Sequence, residues 1–303
     1  MAQNLIVILG ATASGKTQMA VRLAYELNGE IISADSRQVY KGMDIGTGKD
    51  LKEYIIDGRK IHYHLIDVIG AKEEFNLFEF QTGFYEVYQR LIQKKVLPVV
   101  VGGTGLYLES IVKGYHLPKA PPDQELRGTL KTKTINELQR MLLDQKKQPH
   151  NKTDLEDKER LIRAIEIEKA RHQKPDLQCG KPNIDAVVFG IHWERSVLRE
   201  RITARLKERL EQGMIEEVKA LRMSGLTWSR LDSFGLEYRY VACYLQGKIS
   251  YNEMFMKLNT GIHQFAKRQE TWFRRMERKG IVINWITGDD YNLLKESVIK
   301  YLE

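Results

Sequence analysis

A chain of 303 residues, 42% apolar and 29% charged, has the makeup of a globular protein with one large domain, or a core and a smaller companion. No apolar run reaches the ~20 residues of a spanning helix, so the sequence predicts no membrane span. A formal charge of +8 points toward a polyanionic partner but carries no information about fold.

The first predicted element is a strand over Leu5–Leu9, in "MAQNLIVILGATASGKT". The segment is apolar only there and glycine-rich chemistry follows at once, so it reads as a strand and not as a signal peptide. A helix over 17–27, a strand over 30–33, a strand over 62–68, a helix over 78–93, a strand over 96–101 and a helix over 106–112 follow. This alternation predicts an α/β fold of P-loop NTPase-like type, a parallel sheet with helices on both faces. Residues 116–180 break the rhythm. "HLPKAPPDQELRGTL" holds three of the seven prolines, and a polar, helix-rich stretch without β-branched runs comes after it. We read 116–180 as a small helical insertion domain in a core formed by residues 1–115 and 181–303. A strand over 186–191, a nearly all-helical stretch over 195–279 and a last strand over 281–285 complete the core. The two cysteines, Cys179 and Cys243, fit no CxxC pattern, and a reducing cytoplasm is the simplest setting.

"GATASGKT", that is Gly10, Ala11, Thr12, Ala13, Ser14, Gly15, Lys16 and Thr17, matches G-x-x-x-x-G-K-[ST] between a strand and a helix. Glycines let such a backbone curl with its N–H groups inward around an anion, and the helix N-terminus adds positive potential. Lys16 supplies a full charge and the Thr17 hydroxyl suits Mg2+. The loop therefore predicts a ligand carrying a di- or triphosphate. Hydrolytic P-loop proteins also hold the metal with an acid at a strand end, and "VLPVVVGG" ends without one. Asp67 and Asp35 are the alternatives. Asp35 follows the second strand at the carboxyl edge where open α/β sheets bind ligands. It suits a metal ligand, a general base or a helix cap; composition alone favours the cap, and the residues leave all three open.

The helical half is basic. Leu198, Ile202, Leu206 and Leu210 form a stripe, with Arg201, Arg205 and Arg209 along its border. Such arginines either lace a solvated face to Glu200 and Glu208 or grip a pyrophosphate bidentately. In "HQFAKRQETWFRRMERKG", cations interleave with Phe265, Trp272 and Phe273, and Arg268, Trp272 and Arg275 share a face by spacing. Looped RNA fits such a pattern, as does an ordinary amphipathic surface helix. His62 and His64 alternate along a strand with no legible third ligand, and a structural placement is expected.

"GATASGKT", "SADSRQVYKGMDIGTGK", "HYHLID", "PVVVGGTGLYL", "RLIRAIEI" and "FAKRQETWFRR" occur in the order found in tRNA dimethylallyltransferases, and the chain resembles that family, in its bacterial form, over residues 5–285. The resemblance implies transfer of a five-carbon group from dimethylallyl diphosphate to N6 of the adenine just 3′ of the anticodon, through a channel entered by the two substrates from opposite ends. It implies Asp35 as general base, Thr12 on the departing oxygen, and Arg205 with Lys16 and Mg2+ on Thr17 carrying the diphosphate charge, the loop from Gly10 to Thr17 being the cradle. It places Ser36, Arg37, Gln38 and Thr104 at the flipped adenine, with Gly102 and Gly103 leaving space near the channel. Lys267, Arg268 and Gln269 would hold the anticodon stem-loop backbone, and the insertion would also contact tRNA. A cytoplasmic monomer away from membranes is expected. Ala11 stands where the family usually has Pro, "TGKD" replaces "TAKP", the "DP…A" pattern near Gln148–Thr153 is lacking, and "GLEY" carries two extra residues. Rival readings are a small-molecule or nucleotide kinase, prenyl transfer to free adenine nucleotides, and an RNA-binding NTPase switch.

Overall fold

The computed structural model describes residues 4–145, 156–173 and 182–302. The chain forms two compact units, Met1–Gly114 with Pro182–Glu303, and Tyr115–Lys181.

In the larger unit β1 (Leu5–Gly10) leads into α1 (Lys16–Glu26) and β2 (Glu30–Ser33). A small antiparallel hairpin, β3 (Ile55–Ile56) and β4 (Arg59–Lys60), precedes β5 (Tyr63–His64), α2 (Leu77–Gln93), β6 (Pro98–Gly102) and α3 (Gly105–Val112). Six strands make one parallel sheet in the order β5-β2-β6-β1, then β7 (Ala186–His192) and β8 (Ile283–Thr287). Strand β1 lies inside the sheet and is buried at every residue, which is why it reads as an unbroken apolar run. Its side chains divide by pleat. Leu5, Val7 and Leu9 join Phe80 and Phe84 of α2 and Leu108 of α3 on one face. Ile6 and Ile8 join Met19 and Leu23 of α1 on the other. The expected α/β architecture is what the chain adopts.

The smaller unit contains α4 (Gln124–Lys131), α5 (Ile135–Gln145) and α6 (Lys158–Gln173) around Leu130, Leu138, Leu142, Leu161, Ile162 and Ile165. Glu166, buried, accepts from Arg127 at 2.7 Å and Arg163 at 3.1 Å. Gln148–Thr153 and Cys179 lie outside the described residues.

The stretch after β7 resolves into five helices: α7 (Arg195–Glu211), α8 (Met214–Met223), α9 (Trp228–Ser233), α10 (Leu236–Leu245) and α11 (Tyr251–Arg278). They enclose a third apolar cluster that includes Val39, Tyr40 and Met43 of the loop after β2 and Ala11 and Ala13 of the phosphate loop. The helical half therefore floors the loop. Helix α11 starts on a reciprocal capping box, Ser250 with Glu253. Among the described residues, no helix is long and apolar enough to cross a membrane.

One expected strand is corrected, elements the sequence did not predict are added, and the structural placement expected for His64 holds. The strand expected over 62–68 is paired only at Tyr63 and His64, because Leu65 and Asp67 take positive φ of 61° and 56° and turn the chain away. The hairpin β3–β4 and the C-terminal helix α12 (Tyr291–Leu302) were not expected; α12 covers the β1 face carrying Ile6 and Ile8 with Leu294 and Val298. His64 is structural, its Nε2 lying 2.7 Å from Glu30 Oε2, and among the described residues no group of three His, Cys, Asp or Glu could hold a metal.

Candidate active site

The loop from Gly10 to Thr17 curls through positive φ at Ala13 (61°) and Gly15 (84°). Two donors from the helical half seize its outward carbonyls. Trp193 Nε1 donates to Ser14 O at 2.8 Å, and Arg201 Nε donates to Ala13 O at 2.9 Å while its guanidinium lies 4.3 Å from the Trp193 ring centroid. With Ser14 O held outside, the trans peptide turns the Gly15 N–H inward, while the Ser14 N–H closes the turn on Ala11 O at 3.3 Å. Helix α1 has Gly15 at its N-cap and no side-chain cap, so its first-turn N–H groups stay open. Ser14 Oγ is buried with no hydrogen-bond partner in the described structure, and it occupies the space that a side chain at Gly10 would take. Lys16 Nζ donates to Ala11 O at 3.2 Å. Burial, and then the charge of Arg205, push the Lys16 ammonium down to about 8.

The segment after β2 is pinned on every side. Asp35 Oδ1 accepts from Arg37 N at 2.8 Å, an Asx turn that fixes the carboxylate at the sheet's edge. Its charge is felt at Lys16, which it raises. Thr104 Oγ1 accepts from Ser36 N at 3.1 Å. Gln38 is buried, accepting from Ser33 Oγ and donating to Gly48 O, each at 3.0 Å. Lys49, fully buried, donates to Tyr40 O, Asp44 and Asp67. Glu217 of α8 accepts from the N–H groups of Asp44, Ile45 and Gly46 and from the Tyr238 hydroxyl.

These contacts revise several expected roles. Gln38 has its amide committed inside the protein, where it braces the turn after β2. Gln269 is 7% exposed, with its Oε1 taking Thr12 N and its Nε2 giving to Gly103 O, both at 2.8 Å, so its carboxamide is committed inside the protein. Thr104 holds the Asp35 turn through Ser36. Asp67 pairs with the buried Lys49 through Oδ1. The glycines after β6 make room for protein. A Cβ on Gly102 would lie 2.2 Å from Ala34 O, one on Gly103 2.3 Å from Gln269 Nε2, and one on Gly105 2.3 Å from the Trp272 ring.

Arg205 and Arg209 project from α7 into an open pocket of about 280 Å³, mouth included, which Thr12, Ala13 and Glu237 also line. Asp50 Oδ2 pairs with Arg205 and lies 3.6 Å from Arg209. Burial pushes the Asp50 carboxyl up, but the two guanidinium charges outweigh it and hold it below the usual carboxylate range. At Glu53 and Glu237 burial outweighs the pull of the nearby arginines, and both carboxyls are raised. The geometry separates the border arginines: Arg201 braces the loop from outside, and Arg205 and Arg209 line the pocket. Asp50, Glu237 and Trp193 were not selected from sequence, whereas Arg209 was one of the border arginines read there, one turn beyond Arg205.

On α11 the basic and aromatic residues separate. Lys267 and Arg268 are exposed, without ion-pair partners among the described residues, and Arg268 lies 5.8 Å from the Phe265 ring centroid. Trp272 and Phe273 pack inward, and Arg275 covers the Trp272 ring at 4.8 Å.

A parallel sheet, an anion-ready loop at its carboxyl edge and an arginine-lined pocket beside a placed carboxylate form the ground plan of an α/β group-transferring enzyme. The chain belongs to the tRNA dimethylallyltransferase family: the IPP transferase family model matches residues 38–276. The tRNA dimethylallyltransferase 1 of Syntrophus aciditrophicus is 54% identical over 299 residues, covering 98% of each chain. The tRNA dimethylallyltransferase 2 of Bacteroides fragilis is 50% identical, covering 99% of this chain and 97% of its own. Among solved structures, the tRNA isopentenylpyrophosphate transferase of Bacillus halodurans superposes with a TM-score of 0.71 at 30% identity, covering 99% of this chain and 97% of that one. A eukaryotic dimethylallyltransferase described as acting on tRNA gives a TM-score of 0.74 at 23% identity, over 96% of this chain and 75% of its own, a likeness of fold. The expected family and enzyme class hold.

Proposed function

We propose that this enzyme moves the dimethylallyl group of dimethylallyl diphosphate onto N6 of the adenine immediately 3′ of the anticodon in tRNA, releasing diphosphate. The observation that carries the reading is the neighbourhood of Lys16, where the charges of Arg205 and Asp35 are both felt. Cations suited to a diphosphate and a carboxylate suited to an amine thus serve one site.

The loop N–H groups, the Ser14 hydroxyl, Lys16 and Arg205 hold the diphosphate. An exocyclic adenine amine is a poor nucleophile, its lone pair being delocalised into the ring. Asp35, with one oxygen tied to Arg37 N, holds the amine through the other and takes its proton as the C–N bond forms. Negative charge gathers on the leaving diphosphate as the allylic C–O bond breaks, and donors aimed there count most in the transition state. The Thr12 hydroxyl serves the departing oxygen, its N–H being occupied by Gln269. Ser36 and Arg37 flank the flipped adenine; flipping costs a few kcal/mol, less for a base already unpaired in a loop. Lys267 and Arg268 grip the stem-loop backbone, and the insertion unit adds RNA contacts. Work in the cytoplasm as a monomer accords with this substrate.

The residues fit Mg2+ in its phosphate-borne form: Thr17 is partly exposed in α1's first turn, and no cation cage occurs among the described residues. The ion takes few protein ligands and completes its shell with phosphate oxygens and water. When bound, it neutralises charge on the diphosphate.

Incubation with labelled dimethylallyl diphosphate and either unmodified tRNA or AMP tests the reading. Label in RNA supports it, label in AMP supports prenylation of free nucleotides, and ATP turnover without prenyl transfer supports a kinase or switch. Neutralising Lys267 and Arg268 to Gln should weaken tRNA binding and reduce the slope of log K against log[salt] by about 0.7–0.9 per charge. An unchanged slope would make α11 a packed surface element only.

Lys16 gives a pH test. Near 8 in the free enzyme, it is mostly charged at pH 7 and loses its charge as pH rises. Diphosphate favours the ammonium, so affinity for inorganic diphosphate, corrected for its own ionisation, should fall above pH 8, by up to about tenfold per pH unit. Arg205→Gln removes the repulsion and should move that fall to higher pH. Titration calorimetry from pH 6.5 to 10 reads both; affinity flat to pH 10 would remove Lys16 from the cradle.

A further inference from the structure

We infer that Gln269 is a positioning residue that sets the phosphate loop in register with the Asp35 turn, an inference that rests on the transferase reading above. Its carboxamide is the central link in a path of four hydrogen bonds joining the tips of β1, β6 and β2. Thr12 N donates to Gln269 Oε1, and Gln269 Nε2 donates to Gly103 O. The next residue, Thr104, donates its N–H to Ala34 O at 3.3 Å and accepts from Ser36 N at 3.1 Å. Asp35 lies between those last two partners.

The side chain is specified by what it must do. A carboxamide offers an acceptor and a donor in one plane; a carboxylate only accepts, and an apolar chain does neither. Without it, the buried Gly103 carbonyl and the Thr12 N–H lose their partners. Gly103 keeps the seat open, since an added Cβ would press within 2.3 Å of Nε2. Thr12 belongs to the departing side of the reaction and Asp35 to the attacking side. The two must be spaced for in-line transfer, and a misplacement of about 1 Å costs about 10²-fold in rate. Lys267 and Arg268, next to Gln269 on α11, are exposed, so Gln269 carries the link inward while its neighbours face outward.

The test compares Gln269→Leu and Gly103→Ala with wild type, measuring kcat for RNA prenylation per folded protein, Kd for an anticodon stem-loop RNA, and thermal unfolding. Gln269→Leu should lower kcat about 10²-fold with the RNA Kd changed less than about threefold. Gly103→Ala leaves the carboxamide in the chain but displaces it, and should lower kcat in the same direction without weakening RNA binding. Should Gln269→Leu not fold, Gly103→Ala decides. Wild-type kcat in folded variants would overturn the inference, and so would a loss confined to RNA Kd, which would make Gln269 an RNA contact. Wild-type protein that prenylates no RNA would instead bring down the transferase reading itself, and this inference with it.

Discussion

Asp35→Asn should lower kcat by about 10²–10⁴-fold while leaving tRNA affinity nearly intact. Asparagine has the same shape, and its carbonyl oxygen can still accept from Arg37 N, so the Asx turn that fixes the side chain survives. What disappears is the negative charge and the site for the amine's proton. A secondary effect has a definite sign. Asp35 raises the Lys16 ammonium, so its loss lets burial and Arg205 push Lys16 lower, and diphosphate affinity at pH 8 should fall modestly. Single-turnover prenylation with saturating RNA isolates the chemical step from that change, and filter binding reports the RNA affinity. A variant as fast as wild type in single turnover would end the assignment of Asp35 as base.

The parts of this site that the sequence disclosed are those made of neighbours. Strand β1, the glycine-rich curl and α1 are contiguous, and both the motif and its strand-turn-helix setting lie within one short segment. The position of Asp35 at the end of β2 was legible for the same reason, whereas its role came from family resemblance, because an acid before a turn serves a cap equally well. The roles of Gln38, Gln269, Gly102 and Gly103 were not legible. Each depends on a partner brought close by the fold: Gln269 meets Thr12 across 257 positions of sequence. A glutamine between Arg268 and Glu270 on a basic helix reads as another polar surface residue until α11 is laid beside β6. The strand expected over 62–68 failed for a related reason. Its apolar residues are real, but Leu65 and Ile66 are buried in a turning loop, held where Asp67 meets the buried Lys49. A short apolar run reports burial and does not distinguish a paired strand from a pinned turn.

Arg205→Gln should lower kcat by about 10²–10³-fold, the scale seen when one preorganised donor to a developing anion is removed. The loss should fall on kcat more than on KM, for a reason internal to the site. Arg205 is the main charge holding the Lys16 ammonium down, so removing it returns charge to Lys16 and partly restores ground-state attraction for the diphosphate. A lysine ammonium does not reproduce the forked donors of a guanidinium at the departing oxygens. Asp50 sharpens the test, because its carboxylate pairs with Arg205, the group proposed to receive the substrate's phosphate oxygens. Asp50→Asn should therefore tighten binding of inorganic diphosphate in wild-type background and have little effect once Arg205 is gone, a coupling that a double-mutant cycle reads directly. An Arg205→Gln variant with wild-type kcat would leave Arg205 as a partner of Asp50 alone and move the charge stabilisation to Lys16 and Arg209, whereas additive effects in that cycle would mean that Asp50 acts on diphosphate binding independently of Arg205, through Arg209.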